Sequence, residues 1–391
     1  MEERDEPDWV KLPHALQSIF FERVEEEVSS LIGEIERLER CIELIRDRLS
    51  GLFEPYDESD SVLRIGAVDG SRSPEMSERL GIRYGVFTTG AVVLEGGRRV
   101  RESYYADSFR REQAASREVS SYLLDLRVSY AERKLALELL DDVDFLFIDG
   151  SFYGFVYPVL RMRKRGAFGE MEESLFREMW EVTGRLVESG KVAGVVKRSH
   201  TRAIGGFIAT KLFDHLQELG DLVGVIDKLI LSALMPPRSI FRYESLIGEE
   251  NVTVYTEAAR AFLRHGKSED LLEFARKKAY EPFDRLGLDP EGFRRMRRVQ
   301  VKSHPGAPVC EIEHPSAFER VIEVIRSRGM FSDVTGLPLA LDVVDSLVDL
   351  GSRFTEEYVS EIEARLLERM GRERPKLIRW FFHLLNPQKV F

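Results

Sequence analysis

Two stretches of this chain decide its predicted fold: VLRIGAVDGS at residues 62–71 and VDFLFIDGS at residues 143–151. In each, an apolar run long enough for a buried strand ends at Asp-Gly-Ser, so Asp69 and Asp149 are each predicted where a strand gives way to a turn. If the two strands are neighbours in one sheet, the two carboxylates converge at the same end of it. Because like charges repel at short range, the pair predicts a bound Mg²⁺ or Mn²⁺. Asp-Gly is also a common turn dipeptide, and the repetition is what favours the metal.

The segments that follow the first of these strands alternate between strand and helix patterns. Strand patterns lie at residues 82–94, 99–105 and 192–196, and helix patterns lie at residues 111–140, 171–189 and 204–219. A Glu-Gly-Gly turn at residues 95–97 joins the first two of these strands as a hairpin. The order β-β-β-α-β-α-β-α predicts an α/β fold of the ribonuclease H-like type. In that fold a mixed sheet is flanked by helices, and the first and fourth strands lie side by side.

Outside this core the prediction is coarser. Residues 16–49 repeat apolar side chains at helical spacing, which predicts a long helix that packs on the core or meets a partner. We therefore divide the chain into an N-terminal helical arm at residues 1–55 and a ribonuclease H-like domain at residues 56–391, with a helical insertion around residues 235–295. The remaining predicted elements are a strand at residues 222–226, a strand pair at 299–302 and 309–312, and helices at 257–280, 315–328, 339–350 and 356–370.

The composition is that of a globular protein, with 43% hydrophobic and 32% charged residues among 391. Two cysteines, Cys41 and Cys310, build neither a disulfide framework nor a zinc site, which favours the cytoplasm. The acidic N-terminus lacks a signal-peptide pattern and no apolar run is long enough to span a bilayer, so no membrane association is expected. The formal net charge of −11 argues against an all-round basic surface for nucleic-acid binding.

One short segment is nevertheless strongly basic. It contains Arg294, Arg295, Arg297, Arg298 and Lys302. A solvated helix face is the ordinary interpretation of such a run. A track that contacts the phosphates of a nucleic acid is the alternative, and the predicted metal site makes the two equally reasonable.

Hydrolysis of a phosphodiester at a metal site needs several carboxylates that converge on the ions. The helix before the second aspartate strand offers four candidates for a third ligand: Glu132, Glu138, Asp141 and Asp142. A later predicted helix carries three aspartates on one face, which is either solvated or completes a metal shell: Asp342, Asp345 and Asp349. Lys197, at the end of the strand VAGVVK, is placed to hold a phosphate, although a surface lysine is the ordinary interpretation.

Other classes of active site lack their motifs in this sequence. The histidines form neither HxH nor HExxH, which argues against a zinc hydrolase. There is no Walker A sequence and no GxGxxG after a strand, which argues against ATP hydrolysis and Rossmann dinucleotide binding.

Six short pieces of the chain, taken in order, resemble the motifs of one family. They are IGAVDGSRS, a glutamate ahead of FLFIDGSF, GVVKRS, VIDKLILSALMPPRS, APVCEIEHP and GLPLALDVVD. Each piece is weak alone, but their order from about residue 60 to about residue 350 resembles the NurA family. NurA proteins are archaeal and bacterial nucleases that act with HerA-type hexameric translocases in DNA end processing.

The resemblance implies a Mn²⁺- or Mg²⁺-dependent deoxyribonuclease that hydrolyses phosphodiester bonds with a metal-activated water in double-strand break repair. By the same resemblance it is a 5′–3′ exonuclease or single-strand endonuclease, and a homodimer whose partners are DNA and a HerA-type translocase. The motifs assign Asp69, Glu132 and Asp149 as catalytic metal ligands, and we expect Lys197 to contact the phosphate.

Two positions depart from the family pattern. Asp345 stands where the family has a histidine, and because aspartate is also a good ligand for Mn²⁺ or Mg²⁺ we expect it to be a further ligand. The strand around Gln300 lacks a tyrosine expected near the site. Both departures keep open an alternative, a catalytically weakened DNA-binding or translocase-adaptor module of the same fold.

Overall fold

The computed structural model describes residues 8–79, 81–112, 116–266, 270–317 and 320–370. These residues form one mixed ten-stranded sheet with helices on both faces. Its strands are β1 (Phe53–Pro55), β2 (Arg64–Arg72), β3 (Ser77–Arg79), β4 (Ile82–Glu95), β5 (Arg98–Glu112), β6 (Phe145–Asp149), β7 (Val192–Val195), β8 (Ser239–Arg242), β9 (Met296–Lys302) and β10 (Cys310–Pro315).

The helices vary widely in length. They are α1 (His14–Leu49), α2 (Arg117–Leu139), α3 (Val156–Lys164), α4 (Glu170–Glu188), α5 (Ala203–Lys211), α6 (Leu216–Leu219), α7 (Asp227–Leu234), α8 (Glu244–Ile247), α9 (Val252–His265), α10 (Leu271–Leu286), α11 (Glu291–Arg294), α12 (Val321–Ile325), α13 (Leu339–Val348) and α14 (Phe354–Met370). No helix among these described residues combines the length and the apolar character that crossing a membrane requires.

The strand order brings the two aspartate strands together. It is β1-β8-β9-β10-β7-β6-β2-β4-β3, and β5 pairs with the other side of β4. β2 and β6 are parallel neighbours, with Val68 opposite Ile148, and β7 lies parallel on the far side of β6. The β4–β5 hairpin turns at Gly96 and Gly97, which both have positive φ. The predicted ribonuclease H-like α/β fold is confirmed.

Alternate residues of the central strands pack on opposite faces of the sheet. Val68 and Ile148 belong to a large hydrophobic cluster together with α2 and the helices that follow it. Ala67 and Phe147 belong to a second cluster, with α12 and α13. Because both faces are covered, these strands read as continuous apolar runs, as is usual for buried parallel strands. Side chains from α2 and from α13 therefore reach the same sheet from opposite sides.

Helix α1 packs on the rest of the protein only near its C-terminal end. Its buried residues are Cys41, Ile42, Ile45 and Leu49. The preceding turns expose a stripe of large apolar side chains: Ile19, Phe20, Phe21, Val24, Val28, Leu31, Ile32 and Ile35. We call these residues the α1 stripe. β1 follows α1 and pairs with β8, so residues 53–55 join the sheet. The division of the chain at residue 55 stays a prediction.

Several predicted elements are wrong in type or extent. Residues 222–226 do not form a strand, because Gly220–Gly224 is a 3₁₀ helix. The helix predicted at residues 257–280 is two helices, since the chain turns at Gly266 with a φ of 74°. Pro315 ends β10 instead of starting a helix, and only the short α12 follows it.

Candidate metal-binding active site

Asp69 and Asp149 lie at the same end of the sheet on neighbouring strands. Asp149 is the last residue of β6, as predicted. Asp69 is inside its strand, because β2 continues to Arg72 and pairs with β4 through that residue, so the turn predicted after Asp69 is wrong. The Asp69 side chain is 2% exposed, and its Oδ1 accepts a hydrogen bond from the N–H of Gly70 at 2.8 Å. The sheet therefore fixes the position of this carboxylate.

The ammonium of Lys197 lies among three carboxylates. Lys197 follows β7, the strand next to β6. Its Nζ is 2.5 Å from Asp69 Oδ2, 2.5 Å from Asp345 Oδ1 and 3.7 Å from Asp149 Oδ1. The predicted phosphate-binding lysine is thus placed beside both aspartates, and the helix α13 adds a third carboxylate from outside the sheet.

Glu132 approaches the two aspartates from α2, which lies on the face of the sheet opposite to α13. It is 6% exposed, and a Cβ built on Gly70 would lie 2.7 Å from Glu132 Oε1. Gly70 therefore leaves the room that the Glu132 carboxyl group occupies above β2. Of the other candidates, Glu138 of α2 is exposed, and Asp142, which follows α2, pairs with Arg101. The structure brings Glu132 to the aspartates and leaves the others at the surface.

Burial and mutual repulsion make ionisation of these acids costly. Burial, and then the charge of Asp149, raise the pKa of Asp69 to about 7. Burial and the charges of Asp149 and Asp69 raise the pKa of Glu132 well above its ordinary value. Burial lowers the pKa of Lys197, but the two aspartates outweigh burial and raise it, so the lysine stays protonated. The acids need more positive charge than this single ammonium supplies.

The donor chemistry at this point suits a divalent cation. Four carboxylate groups, which are hard oxygen donors of the kind Mn²⁺ and Mg²⁺ prefer, face one ammonium. No group of three His, Cys, Asp or Glu side chains in the described part of the chain is already assembled as a metal-binding cluster. The Lys197 ammonium lies between the acids instead. The four carboxylates fit a divalent cation in charge and ligand type. In this structure they are arranged around the ammonium of Lys197.

Comparison with known proteins identifies the family of this chain. The family model described as "NurA domain" matches residues 63–350, which is more than half of the chain. The chain belongs to the NurA family. A crystal structure of the NurA nuclease from Sulfolobus solfataricus matches with a TM-score of 0.55 and 14% identity, covering 89% of this chain and 98% of that one. A crystal structure of NurA with manganese matches with a TM-score of 0.49 and 13% identity, covering 90% and 99%. A search of curated proteins found no match.

Asp345, which the sequence predicts as a further ligand in place of a family histidine, lies in the site of this NurA chain. Asp345 contacts Lys197, although its side chain is 60% exposed. Hydrogen bonds with Asp69 and Lys197 outweigh the effect of burial and lower the pKa of Asp345. The other two acids of this face lie elsewhere: Asp342 accepts a hydrogen bond from Thr335, and Asp349 follows the end of α13.

The basic segment of this NurA protein is only partly exposed. Arg294 and Arg295 are exposed, and Arg297 is half-buried near Glu244. Arg298 instead forms buried ion pairs, and Lys302 is 6% exposed and donates to backbone carbonyl groups. The prediction of a DNA track is corrected for these two residues, because β9 turns alternate side chains into the protein.

Sequence reasoning missed two buried glutamates beside the site. Glu311 and Glu313 lie on β10 and point to the same side of it, where they pair with Arg298 of β9. The available signal was two acids at positions i and i+2 between apolar residues of a strand, facing a strand with Arg and Gln at the same spacing.

Proposed function

We propose that this protein is a divalent-metal-dependent DNA nuclease. The observation that carries the proposal is the convergence of Asp69, Glu132 and Asp149 on Lys197 in a chain of the NurA family. Three acids and one lysine at the end of a sheet are the parts that phosphodiester hydrolysis uses. We place the activity in DNA end resection during double-strand break repair, by analogy with the family.

In the proposed site the acidic residues bind cations and the lysine binds the substrate. Asp69, Glu132, Asp149 and Asp345 would hold one or two Mn²⁺ or Mg²⁺ ions. When bound, such an ion supplies a water activated for attack and neutralises charge on the phosphate. Lys197, which stays protonated, contacts a phosphate oxygen and stabilises its charge. None of these side chains needs to form a covalent intermediate with DNA.

Contacts to the rest of the DNA fall to the exposed basic residues. Arg294 stacks its guanidinium over the ring of Tyr280 at 4.6 Å, which holds the charge at the surface. Arg295 extends this patch, the half-buried Arg297 lies beside it, and Arg198 is exposed directly after Lys197. Phosphate contacts of this kind bind DNA without reading its sequence.

The protein is also proposed to be a homodimer that works with a HerA-type hexameric translocase. The translocase rests on family membership alone. The dimer is supported by the α1 stripe, which the described part of the chain leaves exposed. Within it, Phe21, Val24, Val28, Leu31 and Ile35 follow the alternating three- and four-residue spacing of a coiled-coil seam. Analytical ultracentrifugation across a range of concentrations tests the dimer, and a monomer at every concentration contradicts it.

The test of the activity is cleavage of end-labelled single- and double-stranded DNA with Mn²⁺, Mg²⁺ or a chelator. We expect cleavage with either ion, none with chelator, and loss of cleavage in Asp149→Asn. Asp141→Asn is the matched control, because Asp141 is an exposed aspartate on the same connection. If the wild type binds DNA but cuts neither substrate with either ion, the protein is a DNA-binding or adaptor module instead.

A further inference from the structure

The loops after β6 and β7 have the same design. Two residues beyond Asp149 comes Ser151, and two residues beyond Lys197 comes Ser199. Each serine donates a hydrogen bond to a glutamate of β10. The two site residues are thus tied, through equal lengths of chain, to one neighbouring strand.

The loop that carries Asp149 is held by Glu313. This carboxylate is 1% exposed and accepts from Ser151 Oγ at 2.9 Å and from the N–H of Phe152 at 2.8 Å. A side chain and a backbone group of one loop therefore bind the same carboxylate. Since Gly150 lies between Asp149 and Ser151 with positive φ, the loop turns sharply here and its direction depends on these bonds.

The loop that carries Lys197 is held by Glu311 in the same way. This carboxylate is fully buried and accepts from Ser199 Oγ at 2.5 Å and from Thr201 Oγ1 at 2.9 Å. Gln300 also donates to it at 2.7 Å. Both ends of the segment between Ser199 and Thr201 are therefore fastened to β10.

Arg298 joins the two glutamates. Its Nη1 is 2.5 Å from Glu311 Oε1, and its Nη2 is 2.7 Å from Glu313 Oε2. Nη1 also donates to Thr201 Oγ1 at 3.0 Å. The planar guanidinium has a fixed fork of donors, so it sets the spacing of the two carboxylates that it binds. A lysine in this place would hold the charge without holding the spacing.

We propose that Glu311, Arg298 and Glu313 are positioning residues that set the separation of Asp149 and Lys197. The inference rests on the proposed nuclease function, and assigns these residues to its site. We call these three residues the clamp. Through Ser151 the clamp holds Asp149 in position to bind a cation, and through Ser199 it holds Lys197 in position to bind a phosphate. We assign none of the three a contact with substrate or ion.

The test uses the serines, because replacing a buried ion partner risks unfolding the protein. In the full chain, Ser151→Ala should weaken Mn²⁺ binding about tenfold, measured by calorimetry without DNA, since groups behind a ligand tune metal affinity. Ser199→Ala should leave Mn²⁺ affinity unchanged and lower kcat at saturating Mn²⁺. Ser151→Thr should keep the Mn²⁺ affinity of the wild type, and Ser199→Thr should keep its kcat, because each threonine retains the hydroxyl group. Ser346→Ala is the control, because among the described residues that hydroxyl donates only to Val343 of the same helix.

A readout independent of catalysis is amide hydrogen exchange. Ser151→Ala should speed exchange around Phe152 and not around Thr201, and Ser199→Ala should do the reverse. Wild-type exchange, Mn²⁺ affinity and kcat in both variants overturn the clamp. The clamp is also overturned if both variants show faster exchange throughout, weaker Mn²⁺ binding, lower kcat and a lower melting temperature. The contacts would then be merely structural. A wild type that binds no Mn²⁺ and cuts no DNA refutes the nuclease proposal instead, and the exchange pattern still decides whether the clamp exists.

Discussion

Replacing Asp69 by asparagine should abolish cleavage and, without metal, make the protein more stable at neutral and alkaline pH. The side chain is 2% exposed and the pKa of Asp69 is raised from 3.8 to about 7. Below about pH 4 the carboxyl group is protonated in the folded and unfolded states alike, and ionisation costs nothing. As the pH rises to about 7, the unfolded chain releases its proton first, so the wild type loses stability through this window.

The size of the effect follows from the shift. A rise of about 3 pKa units corresponds to about 4 kcal/mol of unfolding free energy, lost in full above about pH 7. The asparagine of the variant cannot ionise and should escape this loss. The attraction to Lys197 is already included, because it acts on the same pKa.

The assay is urea unfolding in chelator, at intervals from about pH 4 to about pH 8. The stability of Asp69→Asn relative to wild type should grow across the range by up to about 4 kcal/mol, and adding Mn²⁺ should stabilise only the wild type. A difference that stays constant with pH refutes the argument from burial. Wild-type cleavage rates in the variant refute the assignment of Asp69 as a ligand.

Three further changes probe other parts of the site. Asp345→His should keep cleavage activity with Mn²⁺ and lose it preferentially with Mg²⁺, because Mg²⁺ prefers oxygen ligands. Asp345→Ala should weaken cleavage with both ions, and normal rates in this variant contradict the assignment of Asp345 as a ligand. Gly70→Ala should lower activity about tenfold or more, because the new Cβ would lie 2.7 Å from Glu132 Oε1 and would also approach Val128 Cγ1 at 2.7 Å and Thr89 Cγ2 at 2.8 Å, so that the Glu132 carboxyl group must move. Circular dichroism checks that the fold is intact, and unchanged kinetics contradict the placement of Glu132. Replacing Arg294 and Arg295 by Ala should weaken DNA binding equally for unrelated sequences and flatten its salt dependence, as measured by fluorescence anisotropy; an unchanged salt slope means the patch is only solvated.

The adjacency of the two aspartate strands could be predicted because its causes are local. Long apolar runs that end in Asp-Gly-Ser, and a Gly-Gly hairpin, are visible in the sequence, and right-handed crossovers restrict how the strands connect. Glu132 could not be chosen by the same reasoning. Which acid of α2 reaches the site depends on which turn of the helix crosses Gly70, and that is a property of packing.

The role of Arg298 was missed for a different reason. Five basic residues in a short segment suggested a solvated or DNA-facing run. Inside a strand, however, alternate residues face opposite sides, and Arg298 lies directly opposite Glu313 in the ladder. A buried arginine is tolerated only with such partners. Predicting it requires the register of β9 with β10, and the register depends on contacts distant in sequence.

The site combines a fixed half and an adjustable half, and this matters for anyone who wishes to redesign it. Asp69 lies on β2 between β4 and β6, so substitutions there alter the centre of the sheet. Asp345 reaches the same ammonium from the solvent side of a helix, with most of its surface in water. For the metal-dependent activity that we propose, libraries of substitutions at that one helical position can therefore explore metal preference with little risk to folding, and selection could tune that activity without rebuilding the sheet.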